Sequence, residues 1–142
     1  MKHLILPCLS ACLLLANCTN KNNIPDRTYE YEDVSHLSIQ WEDLFQVNID
    51  DYYAYIYSES CGHCREIKQD VISKALQHGF IYFIPFSSDI PIVQDSSFVI
   101  GKNDIESIGI IGTPTLFHIQ DHMITEQYIG SHDILSTLTN LP

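Results

Sequence analysis

Two rhythms of hydrophobic and polar residues run along the chain. Val34 to Phe45 reads as a short strand or loop followed by a helical turn, with Trp41, Leu44 and Phe45 on one side. Tyr52 to Tyr57 is apolar on both alternations, which suits a central strand covered on both faces. From Cys64 onward Ile67, Val71, Ile72, Ala75 and Leu76 recur with a period near 3.6, while Arg65, Glu66, Lys68, Gln69, Asp70 and Lys74 take the other face. That pattern predicts an amphipathic helix stopped at Gly79.

Ile81 to Phe86 is a second apolar strand, with Pro85 limiting its pairing at the far end. Asn103 to Ile108 predicts a short helix opened by Asn103, with Glu106 three residues on as its capping partner. Thr115 to Ile119 and Met123 to Ile129 are strands joined by the polar turn Gln120-Asp121-His122. Ser131 is placed to cap a last helix carrying Ile134, Leu135, Leu138 and Leu141. Strands interleaved with helices and finished by a hairpin predict an α/β domain: a central mixed β-sheet flanked by helices on both faces. No internal repeat or heptad array interrupts this order.

The N-terminal segment follows a different logic. Met1-Lys2-His3 precedes a mostly apolar run, Leu4 to Ala16, and then the polar stretch Thr19-Asn20-Lys21-Asn22-Asn23. A bilayer-spanning helix needs roughly 20 apolar residues, so the shorter run reads as the hydrophobic region of a signal peptide. Leu15-Ala16-Asn17-Cys18 resembles the lipobox of bacterial lipoproteins, in which the cysteine becomes the lipidated first residue; Asn17 departs from the small residue usual there. Leu9-Ser10-Ala11-Cys12 fits that motif better by composition, but cleavage there leaves a very short apolar region and keeps Leu13 to Ala16 in the mature chain. The expected organisation is a lipoprotein-type signal over 1–17, lipidation at Cys18, a flexible tether over 18–33 and a globular domain over 34–142. An ordinary cleaved signal with an incidental cysteine is the other reading. Either one places the domain outside the cytoplasm, and the lipid anchor fixes it to the membrane of a bacterial cell envelope.

Length and charge narrow the partners. The 142 residues, 45% of them hydrophobic, suffice for one core plus a short extra segment. Eighteen acids against seven Lys and Arg give a formal charge of −11, and no basic cluster offers itself to nucleic acid or anionic lipid headgroups.

Cysteine placement says what the domain does with sulfur. Cys8, Cys12 and Cys18 belong to the N-terminal segment, and only Cys61 and Cys64 lie in the body. No structural disulfide framework is left to build. The pair stands in Cys61-Gly62-His63-Cys64, between the Tyr52–Tyr57 strand and the amphipathic helix. A thiol at a helix start faces unpaired N–H groups and the positive end of the helix dipole, which lowers its pKa and favours the thiolate. A second thiol three positions on is close enough to resolve a mixed disulfide. His63, as an imidazolium between the sulfurs, would stabilise the Cys61 thiolate; as a solvent-facing side chain it would contribute little. Half a zinc site is the competing structural reading, but zinc wants four ligands and the body has no second cysteine pair. His36, His78, His118, His122 and His132 are scattered and read mostly as surface residues.

Together, the element order, Cys61-Gly62-His63-Cys64 and Thr113-Pro114 resemble the thioredoxin superfamily over roughly Val34 to Pro142. The dithiol tetrapeptide is identical to that of protein disulfide isomerases, and the surroundings resemble bacterial exported thioredoxin-like proteins. The resemblance implies that Pro114, fifty residues after Cys64, follows a cis peptide bond and lies against the dithiol. It further implies that the backbone of Thr113 pairs with an extended substrate segment. Gly62, Thr113 and Pro114 are then the substrate-binding positions, and Cys61, Cys64, His63 and Pro114 the catalytic ones. Two departures stand out: Tyr55 occupies the place of the acid usually buried six residues before the first cysteine, and Ser60 replaces the aromatic residue usual just before the dithiol. Glu59 is a candidate to relay protons through water, or else an ordinary loop acid.

The expected activity is thiol-disulfide exchange with protein thiols and disulfides, with a possible membrane redox partner. No cofactor or metal is implied beyond the dithiol itself. A surface protein holding a soft metal such as Cu(I) through Cys61, Cys64 and His63 is one alternative. A redox accessory dedicated to a single secreted partner is another.

Overall fold

The computed structural model describes residues 27–141. The signal segment, Cys12, Cys18 and most of the expected tether lie outside the described residues. Four strands form one sheet: β1 (Asp51–Tyr57), β2 (Ile81–Pro85), β3 (Thr115–Gln120) and β4 (Met123–Ile129), in the spatial order β2-β1-β3-β4. β1 runs parallel to β2 and antiparallel to β3, and β3 pairs antiparallel with β4, so the sheet is mixed as expected. Two α-helices complete the frame, α1 (Gly62–His78) between β1 and β2, and α2 (Gly130–Asn140) after β4.

β1 is apolar on both alternations because both its faces are covered. Tyr53, Tyr55 and Tyr57 pack with Ile67, Val71, Ile72 and Ala75 of α1 and with Ile134 and Leu138 of α2. Tyr52, Ala54 and Ile56 pack on the opposite side with Trp41, Leu44, Val99, Ile108 and Phe117. Helices therefore cover both faces, but unequally. Both α-helices share one face, and the other is closed by 3₁₀ turns over Trp41–Asp43, Ser97–Val99 and Ile105–Ser107.

Boundaries follow local chemistry. α1 ends where Gly79 takes φ +73°, its N–H closing on the Ala75 carbonyl, a left-handed conformation glycine adopts without steric cost. The hairpin turn narrows to Asp121 and His122, both at positive φ, because Gln120 still pairs with Met123. A bulge at the His118/Ile119 step makes Thr125 the extra residue of β4, so Ile124 faces the 3₁₀ side while Tyr128 packs toward the helices.

Several expectations are corrected. Asp104, not Asn103, caps the turn before Ile108, accepting from the N–H of Glu106. Ser131 does not cap α2, because the helix starts a residue earlier at Gly130; its hydroxyl instead meets the Glu66 carboxylate of α1 at 3.4 Å. Residues 29–33, assigned to the tether, are folded onto the domain. There the Tyr29 backbone exchanges two hydrogen bonds with the Gln69 side chain (2.7 and 2.8 Å), and Tyr31 opens a 3₁₀ helix, Tyr31–Leu37, that buries Val34 and Leu37. The aromatic pair Tyr29 and Tyr31 supplies apolar surface that a solvated tether would have left in water.

Candidate active site

β1 ends at Tyr57, and the loop Ser58-Glu59-Ser60 carries the chain to Cys61, which is the N-cap of α1. Arg65 stiffens this loop by donating to the carbonyls of Glu59 (3.3 Å) and Ser60 (3.1 Å). Cys61 has extended φ/ψ, and its sulfur accepts from the backbone N–H of Cys64 at 3.3 Å, the position an N-cap oxygen takes in other helices. Both cysteines are free thiols. They are unequal in exposure: Cys61 is partly exposed and Cys64 fully buried.

That difference separates their acidities. Partial burial opposes ionisation of Cys61, but hydrogen bonds with the Cys64 thiol and with Thr113, and those from the N–H groups of Cys64 and His63, outweigh it and bring its pKa below the ordinary thiol value. Burial, reinforced by the Cys61 sulfur, pushes the Cys64 thiol up to about 11. One sulfur is prepared to attack and the other to wait.

The loop before β3 completes the site from the far end of the sequence. Thr113-Pro114 is a cis peptide, as the resemblance implied, and the Cys61 thiol donates to the Thr113 carbonyl at 3.3 Å. Thr115 holds the turn through its hydroxyl, which donates to the Gly112 carbonyl at 2.7 Å, and the Pro114 carbonyl accepts from Gly130 at the start of α2. Gly62 is exposed beside the dithiol.

His63 is exposed, and its Nδ1 faces the Glu66 carboxylate at 3.1 Å. Hydrogen bonding and charge from Glu66 raise the His63 pKa, with the Cys61 thiolate adding in the same direction. The cationic form is therefore favoured, but much of its charge is answered by Glu66 rather than by sulfur. Among the described residues no group of three or more His, Cys, Asp or Glu side chains is assembled for a metal ion. Glu59 is exposed and lines a shallow outer groove with Tyr31, Arg65 and Lys68.

Tyr55, in the place of the usual acid, is fully buried under the dithiol. Burial drives its phenol far above the ordinary range, and the neighbouring Tyr31 hydroxyl and Cys64 thiol add to the shift. Sequence reasoning misses Tyr31, because it falls in the segment assigned to a tether. It also misses His118, which is not a free surface residue: its Nε2 meets Asp51 at 2.7 Å, its Nδ1 meets Glu126 at 3.2 Å, and its ring stacks on Tyr53 at 4.3 Å.

The sheet order, the dithiol at the N-terminus of α1 and the cis proline before β3 define a thioredoxin fold with a Cys-x-x-Cys site. No protein-family profile and no curated protein matches the sequence. Among solved structures the chain is similar to the thioredoxin of Aeropyrum pernix at 22% identity, over 71% of this chain and 80% of that one, with a TM-score of 0.49. It is also similar to Plasmodium falciparum thioredoxin, at 14% identity over 74% of this chain and 98% of that one, TM-score 0.49. Chlamydomonas reinhardtii thioredoxin f2 shows 13% identity over 72% and 92%, TM-score 0.45.

Proposed function

We propose that this protein is an exported, membrane-tethered thiol-disulfide oxidoreductase that exchanges disulfides with protein substrates through Cys61 and Cys64. The observation that carries the reading is the asymmetry of the pair: a partly exposed, acidified sulfur capping α1 and a buried, protonated sulfur one turn on. The Cys61 thiolate attacks a substrate disulfide, forming a mixed disulfide and releasing one substrate thiol. Cys64 then attacks the Cys61 sulfur, so the dithiol is oxidised and the second substrate sulfur leaves as a thiol. Run backwards, the same steps oxidise a substrate dithiol. The dithiol is the redox group, and no cofactor or metal enters the cycle.

Thr113, Pro114 and Gly62 form the wall a substrate segment lies against, with His63 at its edge. The lipobox-like Leu15-Ala16-Asn17-Cys18 supports export and anchoring at Cys18 in a bacterial envelope, where thiols of exported proteins and a membrane electron partner are met. Reduction of insulin tests the activity. The wild type is expected to precipitate the insulin B chain in the presence of dithiothreitol faster than the reductant alone, and Cys61→Ser is expected to fall to the background rate. Full activity in Cys61→Ser would overturn the proposal.

A further inference from the structure

Tyr55 and Tyr31 place two hydroxyls in one pocket beneath the dithiol. Tyr55 comes from the middle of β1 and Tyr31 from the N-terminal 3₁₀ helix, whose ring stacks on Tyr57 at 3.8 Å. The Tyr55 hydroxyl lies beside the Tyr31 hydroxyl and the Cys64 thiol. Both hydroxyls are closed off from solvent, and neither completes a hydrogen bond of good geometry. Buried donors without acceptors are rare, because folding takes them out of water for nothing in return. For Tyr55, whose hydroxyl lies beside a reacting sulfur, the missing acceptor is one that exists only during turnover.

That acceptor is the Cys64 thiolate. To resolve a mixed disulfide Cys64 must lose its proton inside a site where burial and the Cys61 sulfur disfavour the anion more than the Ser58 backbone and the Thr113 side chain favour it. The ionisable groups around this sulfur are Cys61 from the N-cap of α1, Tyr55 from β1 and Tyr31 from the 3₁₀ helix, with Tyr57 further along β1. Each is neutral or anionic. The loop acid Glu59 is on the outer surface.

We infer that Tyr55 donates its O–H to the developing Cys64 thiolate in the resolving step, and that Tyr31 is the positioning residue that holds the Tyr55 hydroxyl toward the sulfur. This rests on the exchange reading above. In the step, the Cys64 proton passes to a solvent base and Tyr55 keeps its own proton throughout. The Cys64–Cys61 bond forms, the Cys61–substrate bond breaks, and the electron pair leaves on the substrate sulfur, which is protonated from water. Donors fixed in advance on a developing anion in a dry site act as an oxyanion hole does for oxygen.

The test follows both half-steps in one trace. The full chain carrying Cys8, Cys12 and Cys18 as serines is reduced and mixed with an aromatic disulfide that releases coloured 2-nitro-5-thiobenzoate. The first equivalent released reports attack by Cys61, and the second reports resolution by Cys64. In Tyr55→Phe the first phase is expected to keep its rate and the second to slow at least tenfold, on the order of losing one donor to an anion. The urea midpoint of Tyr55→Phe is expected to hold or rise, because phenylalanine removes an unsatisfied hydroxyl; a merely structural tyrosine would instead lower it. Tyr31→Phe is expected to slow the second phase severalfold, and it carries the test if Tyr55→Phe fails to fold. A wild-type second phase in the folded variant, or equal slowing of both phases with lost stability, would overturn the inference. Absence of any second equivalent from the wild type would instead sink the exchange reading itself.

Discussion

The Cys61 thiol reaches across 52 positions of sequence to donate to the carbonyl oxygen of Thr113 at 3.3 Å. This contact fastens the N-terminus of α1 to the loop before β3, so the attacking sulfur and the wall against which a substrate would lie are one unit. Hydrogen bonds with the Cys64 thiol and from the N–H groups at the start of α1 outweigh partial burial and lower the Cys61 pKa, while Cys64, one turn further in, is raised to about 11. Below both pKa values neither sulfur is nucleophilic; between them only Cys61 is a thiolate. At any pH below about 11 iodoacetamide is therefore expected to label Cys61 ahead of Cys64, with Cys64 labelling growing as pH climbs toward that value. Mass spectrometry of tryptic peptides distinguishes this from equal labelling of the two, which would contradict the asymmetry.

Cys64 sits with no exposed surface among Ile67, Val71 and Leu116. Cys64→Ser keeps a side chain of similar size and leaves Cys61 free to attack, but removes the sulfur that completes the cycle. Adducts with substrate thiols are expected to accumulate at about one per chain and to vanish on reduction, visible as shifted bands on non-reducing gels. Many bands indicate a general exchange enzyme, and one dominant band a dedicated accessory. No adduct under conditions where the wild type turns over would argue against a mixed-disulfide route.

Much of the fold and of the dithiol site is legible in the order of residues alone. The doubled apolar alternation of β1, the 3.6 period of α1 and Gly79 as its stop are local patterns, and local patterns survive folding. Thr113-Pro114 stands out only through a family resemblance, since its partner Cys61 is far away in sequence. Tyr31 and His118 escape a reading of the sequence for one physical reason: each is placed by partners on other elements. Tyr31 meets Tyr57 and Tyr55, while His118 meets Asp51 on β1 and Glu126 on β4. Polar character near a chain end reads as solvated unless the register that buries it is known.

The attachment of the N-terminal segment can be measured directly. Tyr31 stacks on Tyr57 and meets Phe83 edge-on at 6.2 Å, and Lys68 of α1 lies 5.8 Å from the Tyr31 ring centre. Tyr31→Ala is expected to cost about 2 kcal/mol of stability, combining lost apolar burial with the aromatic pairing. Gln69→Ala, which frees the Tyr29 backbone from both its bonds, is expected to cost about 1 kcal/mol. Urea unfolding measures both. Unchanged midpoints would mean that residues 29–33 belong to a loose tether after all.

His118 ties three strands together, and its bonds make a pH-dependent contribution. The Asp51 and Glu126 carboxylates each face one ring nitrogen of His118. The Asp51 pKa is lowered chiefly by the His118 hydrogen bond, with Gln120 adding to it. The Glu126 pKa is lowered first by the Tyr128 hydroxyl and then by His118. A carboxylate whose folded pKa is depressed adds stability above its unfolded pKa, and that stability is lost as pH falls through the folded value. His118→Leu removes both imidazole bonds and also changes the stack on Tyr53, but the stacking change is independent of carboxylate titration. The stability difference between wild type and His118→Leu is therefore expected to be largest above the ordinary carboxylate range and to narrow steadily as pH drops below about 4. Its titrating part should stay under about 1 kcal/mol, because both carboxylates are more than half exposed and solvent screens them. Urea midpoints taken from pH 6 down to about pH 2.5 measure the narrowing, and a difference that stayed constant across that interval would show that Asp51 and Glu126 gain nothing from the imidazole.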